Sequence, residues 1–348
     1  MIKTLKEVAK ESFKTLKSYQ QGTIRPVPTG RPWLDDVFGG LLPGDIVTVA
    51  GASGAGKSFE EQRLKNNIMS LTKVPESKDF IWLGYSLEMR YLSTLIRGLK
   101  EITGKSKKKI LTEEFSKEEK GLANDYYNNA TDGRFFIEEE VLTAEQFNSG
   151  LFSFLEANKH KAAIFISIDH IGLFKGMDPK KTIDTIVQTI NEARKLYKNT
   201  YWLILSQFNR LILGRIQERN MNAKPNRGDV FQSDTMFFLS DYLYVPHNPY
   251  NLGIKEFLKV RTKQYAHLIE HFSEIKNGSG SFTTVGKMFY IVLKLREGGV
   301  VFKDIYIEDV NEVDKELYAE PKDMEIDYET PAFSSTTMTS ARDGFDDF

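Results

Sequence analysis

The chain has 348 residues, of which 41% are hydrophobic and 27% are charged, values typical of a globular protein with about two domains. It contains no cysteine, which excludes disulfide bonds and thiolate metal sites. No apolar run approaches the roughly 20 residues that cross a bilayer, and the N-terminus lacks the apolar core of a signal peptide. We therefore expect a cytoplasmic protein without a membrane partner.

Charge is distributed unevenly along the chain. Residues 303–348 contain fourteen Asp or Glu and four Lys or Arg, whereas residues 1–302 contain more basic than acidic side chains. A basic body with an acidic tail suits a protein that binds nucleic acid through the body and another partner through the tail. A solvated surface with a disordered end would have the same composition, so charge alone does not decide between them.

The N-terminal segment, residues 1–22, is predicted to form an amphipathic helix that serves as an arm or linker. Apolar side chains recur there at spacings of three to five among many lysines and glutamates, as on one face of a helix. They are Ile2, Leu5, Val8, Phe13, Leu16 and Tyr19. Such a face often docks on a neighbouring molecule, although packing against the same domain is at least as common.

A phosphate-binding loop is predicted at residues 51–58, where the chain fits G-x-x-x-x-G-K-[S/T] at every required position. The apolar run 46–50 indicates a buried strand before the loop, and no Gly or Pro interrupts the predicted helix between Lys57 and Pro75. The loop N–H groups would surround an anion, Lys57 would reach the outer phosphates, and Ser58 would offer a hydroxyl to Mg²⁺. The predicted nucleotide-binding residues are Gly51, Ser53, Gly54, Ala55, Gly56, Lys57 and Ser58.

Two later strand-like runs are each followed by a carboxylate that suits phosphate chemistry. Glu88 follows the run 80–85, and a carboxylate at a strand end beside the loop is placed to orient the attacking water. Helix capping or an ion pair is the alternative role for Glu88. Asp169 ends the run 162–168, where it would hold the Mg²⁺ shell across from Ser58.

A third strand-like run, residues 201–205, leads to Gln207 and then to a cationic loop. The Gln207 amide could hydrogen-bond a γ-phosphate and report its loss to the loop; an amide that caps the strand is the alternative. Residues 211–232 are rich in Arg, Lys and Asn, which favours contact with the backbone of single-stranded DNA. The candidate DNA contacts in this region are Arg210, Arg215, Lys224 and Arg227.

Four short motifs accompany the phosphate loop. They are a P-T-G…L-D…G-G-L-x-P-G-D run at 26–45, S-L-E-M at 86–89, S-Q-F-N-R at 206–210 and K-x-R-x-G at 294–298. In content and order they resemble the motifs of the DnaB-type replicative hexameric DNA helicases, a branch of the RecA-like ATPases. The Asp-His-Ile sequence at 169–171 is more similar to the variant in phage primase-helicases.

The resemblance implies an α/β fold. Residues 23–305 would form a RecA-like P-loop NTPase domain with a mostly parallel central sheet flanked by helices, between the linker helix and a disordered acidic tail at 306–348. The family works as a homo-hexameric ring that binds ATP and Mg²⁺ between subunits, moves along single-stranded DNA with 5′-to-3′ polarity and unwinds forked DNA. A phage-encoded member would act in the cytoplasm of the bacterial host.

The resemblance also implies roles for individual cations. Lys294 and Arg296 would reach across the subunit interface to a neighbour's γ-phosphate, with Arg296 as the arginine finger. Alternation along a strand would place both on one face, although a solvent-facing strand edge is an ordinary alternative. Lys175 and Lys180 would lie in the family's first DNA-facing loop. At 228–233 the family's D-L-R-E-S-G is replaced by G-D-V-F-Q-S, so the loop arginine is missing or displaced.

The acidic segment 306–348 is predicted to be disordered because it is rich in charge and poor in apolar side chains. Its end, residues 343–348, places phenylalanines among aspartates and is similar to the tails with which phage helicases and single-strand binding proteins dock onto replication partners. The resemblance thus implies a DNA polymerase, a primase or another replisome protein as partner. A tail without function is equally compatible with the sequence.

Two other functions stay open at the level of the sequence. A RecA-like strand-exchange recombinase or filament ATPase would share the phosphate loop, the acid and the sensor amide, although the other motifs together favour the helicase. A degenerate phosphate loop or the loss of Glu88 would favour a non-hydrolysing loader or scaffold, and neither is seen. Residues 253–280 have the pattern of a helical insertion, to which the sequence assigns no function.

Overall fold

The computed structural model describes most of the chain up to residue 247 and shorter segments after it. The described residues are 4–22, 25–53, 55–71, 74–88, 91–131, 133–209, 212, 214–215, 224–230, 233–247, 249, 256–257, 260–261, 287–296 and 305–309. Gly54, Arg210 and the part of the predicted tail after residue 309 lie outside the described residues.

Helices and strands alternate along the described chain. The helices are α1 (Leu5–Gln20), α2 (Pro32–Phe38), α3 (Lys57–Met69), α4 (Tyr91–Thr103), α5 (Lys107–Thr112), α6 (Lys117–Thr131), α7 (Ala144–Asn158), α8 (Pro179–Leu196) and α9 (Ser233–Leu239). The strands are β1 (Ile46–Gly51), β2 (Phe80–Ser86), β3 (Phe135–Glu138), β4 (Ala163–Asp169), β5 (Thr200–Gln207), β6 (Tyr242–His247), β7 (Glu256–Phe257), β8 (Val260–Arg261), β9 (Lys287–Lys294) and β10 (Ile305–Asp309).

One eight-stranded sheet organises the fold, with the strand order β10-β9-β6-β1-β5-β4-β2-β3. The six strands from β6 to β3 run parallel, whereas β9 is antiparallel to β6 and β10 is antiparallel to β9. The carboxyl ends of β1, β2, β4 and β5 therefore meet at one edge of the sheet, where ligands of open α/β folds bind. The predicted α/β fold with a mostly parallel sheet is confirmed.

Both faces of the parallel strands are buried except at the edge strand β3, whose Phe136 and Ile137 are exposed, and this burial explains the nearly continuous apolar sequences of the other five. On one face, Ile166 and Ile204 pack against apolar side chains of α7, α8 and α9. On the other face, Phe165 and Leu205 pack in the same cluster as Leu64 of α3 and residues of α2. Side chains of neighbouring residues on a strand point to opposite faces, so this division also fixes the direction of the polar residue that ends each strand.

Helix α1 projects an apolar face that the described chain does not cover. Thr4 and Glu7 form a capping box that begins the helix. All residues of α1 are described, and none of them is buried; Leu5 is 84% exposed and Phe13 is 70% exposed.

Within the described ranges, no helix has both the length and the apolar composition needed to cross a bilayer.

The structure differs from the sequence-based expectation at one domain boundary and in one segment of secondary structure. Strand β10 pairs with β9 through Asp309, so the sheet extends past the domain boundary predicted at residue 305. Within the predicted helical insertion at 253–280, the described residues form the antiparallel pair β7 and β8 instead of a helix. The other residues of that insertion lie outside the described set.

Candidate active site

The phosphate loop connects the end of β1 to the start of α3, as the sequence predicts. Gly56 has φ 92°, a left-handed conformation that favours glycine and lets the chain turn into the helix. Gly51 is packed tightly, because a Cβ at this position would lie 3.2 Å from Ala55 Cβ and 3.3 Å from Pro246 O. The loop and the first turn of α3 thus present backbone N–H groups at a helix N-terminus, the arrangement that binds phosphate.

The side chain of Lys57 is held within the loop. Its Nζ donates hydrogen bonds to the carbonyl oxygens of Gly51 at 3.1 Å and Ala52 at 3.0 Å. Burial lowers the pKa of Lys57, and the negative charges of Asp169 and Glu88 oppose that shift. The ammonium group therefore lies in the electrostatic field of both predicted acidic residues.

Ser58 and Asp169 meet across the site. The Ser58 hydroxyl donates a hydrogen bond of 2.7 Å to Oδ2 of Asp169, while the other carboxylate oxygen, Oδ1, is buried and has no partner within the described chain. Burial raises the pKa of Asp169, which the Ser58 hydrogen bond opposes. A hydroxyl and a carboxylate with an unused oxygen fit Mg²⁺, which prefers oxygen ligands and takes the remainder from water and phosphates.

Glu88 lies beside this pair through the pairing of β2 with β4. Ser86 is the partner of Asp169 in the parallel ladder, and the backbone N–H groups of Leu87 and Glu88 donate to the Asp169 carbonyl at 2.9 Å and 3.3 Å. The Glu88 side chain is exposed, and its charge raises the pKa of His170 against the larger lowering by burial. These contacts place the predicted water-orienting carboxylate at the rim of the site.

Gln207 is the neighbour of the phosphate loop on β5. It pairs with Gly51, and the N–H of the next residue, Phe208, donates to the Gly51 carbonyl at 3.0 Å. Alternation from Leu205, which faces α3, places Gln207 on the same face of the sheet. The same argument from Phe165 on β4 applies to Asp169. The structure thus brings these two predicted residues together on the face that carries the loop.

Lys294 and Arg296 lie at the opposite edge of the sheet. Because β9 is antiparallel to β6, its last residue, Lys294, pairs with Leu243 near the start of β6. The edge is separated from the phosphate loop by the length of β1, about 17 Å for a six-residue strand. Lys294 and Arg296 therefore cannot reach the phosphate loop of their own chain.

The two cations have different partners within the chain. Lys294 Nζ donates to the carbonyl oxygens of Phe237, at 2.5 Å, and Ser240, at the C-terminal end of α9. Arg296 forms an ion pair with Asp45. The predicted alternation on one strand face does not hold, because β9 ends at Lys294 and its register shifts beside Leu243.

Two of the candidate DNA-contacting arginines are engaged within the chain. Arg215 forms a bidentate pair with the buried Asp229, with distances of 2.7 Å and 2.6 Å. Arg227 pairs with Asp234 at 2.5 Å and lies over the ring of Phe237, 4.3 Å from its centroid. By contrast, the candidate lysines are exposed. They are Lys175, Lys180 and Lys224.

Sequence reasoning missed a buried network beneath α3. Arg31 and Glu60 form an ion pair of 3.1 Å with almost no exposure, and the Tyr244 hydroxyl donates to Glu60 Oε1 at 3.2 Å. The Arg31 guanidinium also lies 5.0 Å from the ring centroid of Tyr290 on β9. A clue was available in the sequence. Glu60 lies three positions after Lys57 and four before Leu64, so helical periodicity places it on the same buried face of α3.

Comparison with solved structures shows the fold. The structure of the ATPase domain of G40P matches with a TM-score of 0.63 and 16% identity, over 88% of this chain and 95% of that chain. A second structure, of a DnaB-like replicative helicase and its interactions with primase, matches with a TM-score of 0.60 and 17% identity. That match covers 88% of this chain and 64% of the other. No curated protein matches the chain.

The sequence itself also matches a family model. The model of the DnaB-like helicase C-terminal domain matches residues 26–269, which is more than half of the chain and includes the phosphate loop, Glu88, Asp169 and Gln207. Lys294 and Arg296 lie beyond the matched residues. The chain therefore belongs to the family of DnaB-like helicase C-terminal domains, and it is an ATP-hydrolysing enzyme of the helicase class.

Proposed function

We propose that this chain is the motor of a replicative DNA helicase, which uses ATP hydrolysis to move along single-stranded DNA and to separate the strands at a fork. The observation that carries the proposal is the meeting of Lys57, the Ser58–Asp169 pair, Glu88 and Gln207 at the carboxyl edge of the sheet. This set contains a cation for the phosphates, oxygens for a metal, a carboxylate for water and an amide for the γ-phosphate.

Each group has a defined task in ATP hydrolysis. The loop N–H groups and Lys57 would hold the phosphates, and the oxygens of Ser58 and Asp169 would hold Mg²⁺, directly or through water. When bound, Mg²⁺ supplies positive charge that balances the negative charge developing on the phosphoryl group. Glu88 would orient the attacking water at the rim of the site, where its side chain is exposed. Gln207 would contact the γ-phosphate from β5.

A complete site would require a second copy of the chain. The phosphate loop and the pair Lys294 and Arg296 lie at opposite edges of one subunit, and no rearrangement of side chains spans about 17 Å. A neighbour placed in rotational order would bring its Arg296 to the phosphates of this subunit. Such head-to-tail contacts close into a ring, and we propose a homo-hexamer.

DNA would contact exposed cations that follow β4 and β5, of which Lys180 lies in the first turn of α8 and not in a loop. Lys175, Lys180 and Lys224 are exposed and carry the charge that phosphate backbones attract irrespective of base sequence. Arg215 and Arg227 form ion pairs within the chain. We therefore propose that they stabilise the conformation of the loop after β5 before DNA binds. Arg210, also proposed as a contact, lies outside the described residues. The proposed direction of movement is 5′ to 3′.

Replication partners are proposed for the acidic tail. One of the two similar structures is of a DnaB-like replicative helicase that interacts with primase. By analogy, a primase, a DNA polymerase or another replisome protein would bind the acidic and aromatic end at 343–348, which lies outside the described residues. The proposed place of action is the cytoplasm, which would be that of the bacterial host if the protein is phage-encoded.

Strand displacement on forked DNA tests the proposal. Forks with a single-stranded 5′ tail, a 3′ tail or both are incubated with ATP and Mg²⁺, with Lys57→Ala as the control. We expect displacement that requires the 5′ tail and is lost in Lys57→Ala. ATP turnover without displacement on any fork would favour the recombinase or filament ATPase, and absence of turnover would favour the loader or scaffold.

A further inference from the structure

Asp45 is a buried carboxylate at the amino-terminal edge of the sheet, immediately before β1. Its Oδ2 accepts a hydrogen bond of 2.7 Å from the backbone N–H of Leu42. Its backbone carbonyl accepts another, of 2.9 Å, from the N–H of Trp202 on β5. The position of the carboxylate is thus fixed by the turn before β1 and by the neighbouring strand.

Arg296 is the more exposed partner of this carboxylate. The guanidinium pairs with Asp45, and the Arg296 side chain is 31% exposed while that of Asp45 is 7% exposed. Its Cζ also lies 5.2 Å from the ring centroid of Tyr242. Arg296 stands in a turn after the end of β9, so a rotation of its side chain can release Asp45 without breaking the sheet.

Four charged or titratable groups interact with the Asp45 carboxylate. Burial raises its pKa to about 6, the Arg296 charge opposes the rise and the Asp241 charge adds to it. The other two groups are the phenols of Tyr19, at the end of α1, and of Tyr201 on β5. Burial raises the pKa of each phenol, and the Asp45 charge raises it further. Without Arg296, the carboxyl would therefore bind a proton near neutral pH more readily than with it.

We infer that Asp45 is a holding site for the arginine finger. Within one subunit the Asp45 carboxylate retains the Arg296 guanidinium, and the γ-phosphate bound by a neighbouring subunit must replace that carboxylate before the finger acts. This inference rests on the proposed role of Arg296. Carboxylate and phosphate both accept paired hydrogen bonds from the planar guanidinium, so one arginine cannot serve both fully. Asp45 is therefore a positioning residue that sets how readily the finger leaves.

Nucleotide binding to the assembled protein tests this competition. The dissociation constant of a non-hydrolysable ATP analogue with Mg²⁺ is measured for the wild type, Asp45→Asn, Arg296→Ala and the double variant. Asparagine keeps an acceptor for the Leu42 N–H but lacks the charge. We expect Asp45→Asn to tighten binding about tenfold, the scale of one hydrogen bond between charged groups, and to have no effect in the Arg296→Ala background. Weaker binding, or equal effects in both backgrounds, would overturn the inference.

Asp79→Asn is the matched control. Asp79 also precedes a strand, accepts the backbone N–H of Ala162 at 2.9 Å and pairs with Lys161 at 3.0 Å. Because these contacts do not involve the finger, the substitution should leave analogue binding unchanged. A tightening equal to that of Asp45→Asn would show a general effect of lost charge and would contradict the holding role.

A pH series needs no variant of Asp45, so a folding defect of Asp45→Asn would not prevent the test. Between about pH 7.5 and pH 5.5, protonation of Asp45 should release Arg296 and tighten analogue binding more in the wild type than in Arg296→Ala. Identical pH profiles would contradict the inference. ATP turnover distinguishes the two hypotheses. Full turnover in Arg296→Ala would contradict the role of Arg296 as the finger. Lost turnover in Arg296→Ala, together with unchanged analogue binding in Asp45→Asn, would contradict only the holding role of Asp45.

Discussion

The two edges of the parallel strands differ in how complete they are within one chain. At the carboxyl edge, Lys57, Ser58 and Asp169 already contact one another or share one electrostatic field. At the amino-terminal edge, Lys294 and Arg296 contact the end of α9 and Asp45 instead of any phosphate-binding group. One edge therefore brings the predicted phosphate-binding residues together, whereas the other holds Lys294 and Arg296 too far away to contact the same nucleotide.

The largest expected effect comes from breaking either edge by itself. Lys57→Ala should lower ATP turnover by at least about a hundredfold, the scale for a lost preorganised charge at a reacting group. Arg296→Ala should lower turnover by about a thousandfold while nucleotide binding persists, as for other arginine fingers. Steady-state turnover and equilibrium nucleotide binding measure the two effects separately.

Mixing the two inactive proteins sharpens the comparison. If the finger acts across an interface, an intact loop from Arg296→Ala subunits and an intact finger from Lys57→Ala subunits meet in part of the mixed rings. We expect the mixture to regain ATP turnover that neither protein shows alone. A chain with both substitutions is the control, and its mixture with either single variant should stay inactive. Failure of all mixtures, with normal assembly, would contradict a finger acting in trans.

Breaking the buried ion pair between Arg31 and Glu60 should affect ATP turnover less and the stability of the fold more. Arg31→Met leaves the Glu60 carboxylate buried without its cation and should lower the free energy of unfolding by about 3 to 5 kcal/mol. Arg31→Met combined with Glu60→Gln should recover much of that loss, because no isolated charge remains. Denaturant unfolding of the wild type, of Arg31→Met, of Glu60→Gln and of the double variant measures these values, and additive losses would contradict a coupled pair.

The smallest expected effect concerns Lys294 as a cap of α9. Lys294→Met removes the ammonium group from the last carbonyls of that helix and should lower the free energy of unfolding by about 1 kcal/mol or less. Lys198→Met, at an exposed lysine after α8, is the control and should change stability less. Denaturant midpoints compare the two. A loss of turnover in Lys294→Met that exceeds any change in stability would indicate a second role at the interface.

The chemistry of the carboxyl edge could be predicted because its residues follow local rules. The glycines and Lys57 belong to one contiguous motif, and Asp169 and Gln207 each end a buried apolar run. Residues at the ends of parallel strands meet at one edge whatever the strand order. Their spatial proximity was therefore implied by the pattern of buried strands, although the distances were not.

The amino-terminal edge could not be predicted in the same way. Asp45 and Arg296 are separated by 251 positions, and their pairing depends on the antiparallel insertion of β9 beside β6. The sequence indicated strands there but not their order or direction, and it placed Arg296 on a strand that in fact ends at Lys294.

The sequence by itself determined the phosphate loop, the polar residues at the strand ends and the family, because these depend on short motifs and on the periodicity of buried segments. Tertiary structure alone decided which cations face away from the site, which arginines are already paired, and that Arg31 and Glu60 are buried together. Those contacts join distant parts of the chain, and their energies depend on burial and on neighbouring charges that only the folded sheet brings together.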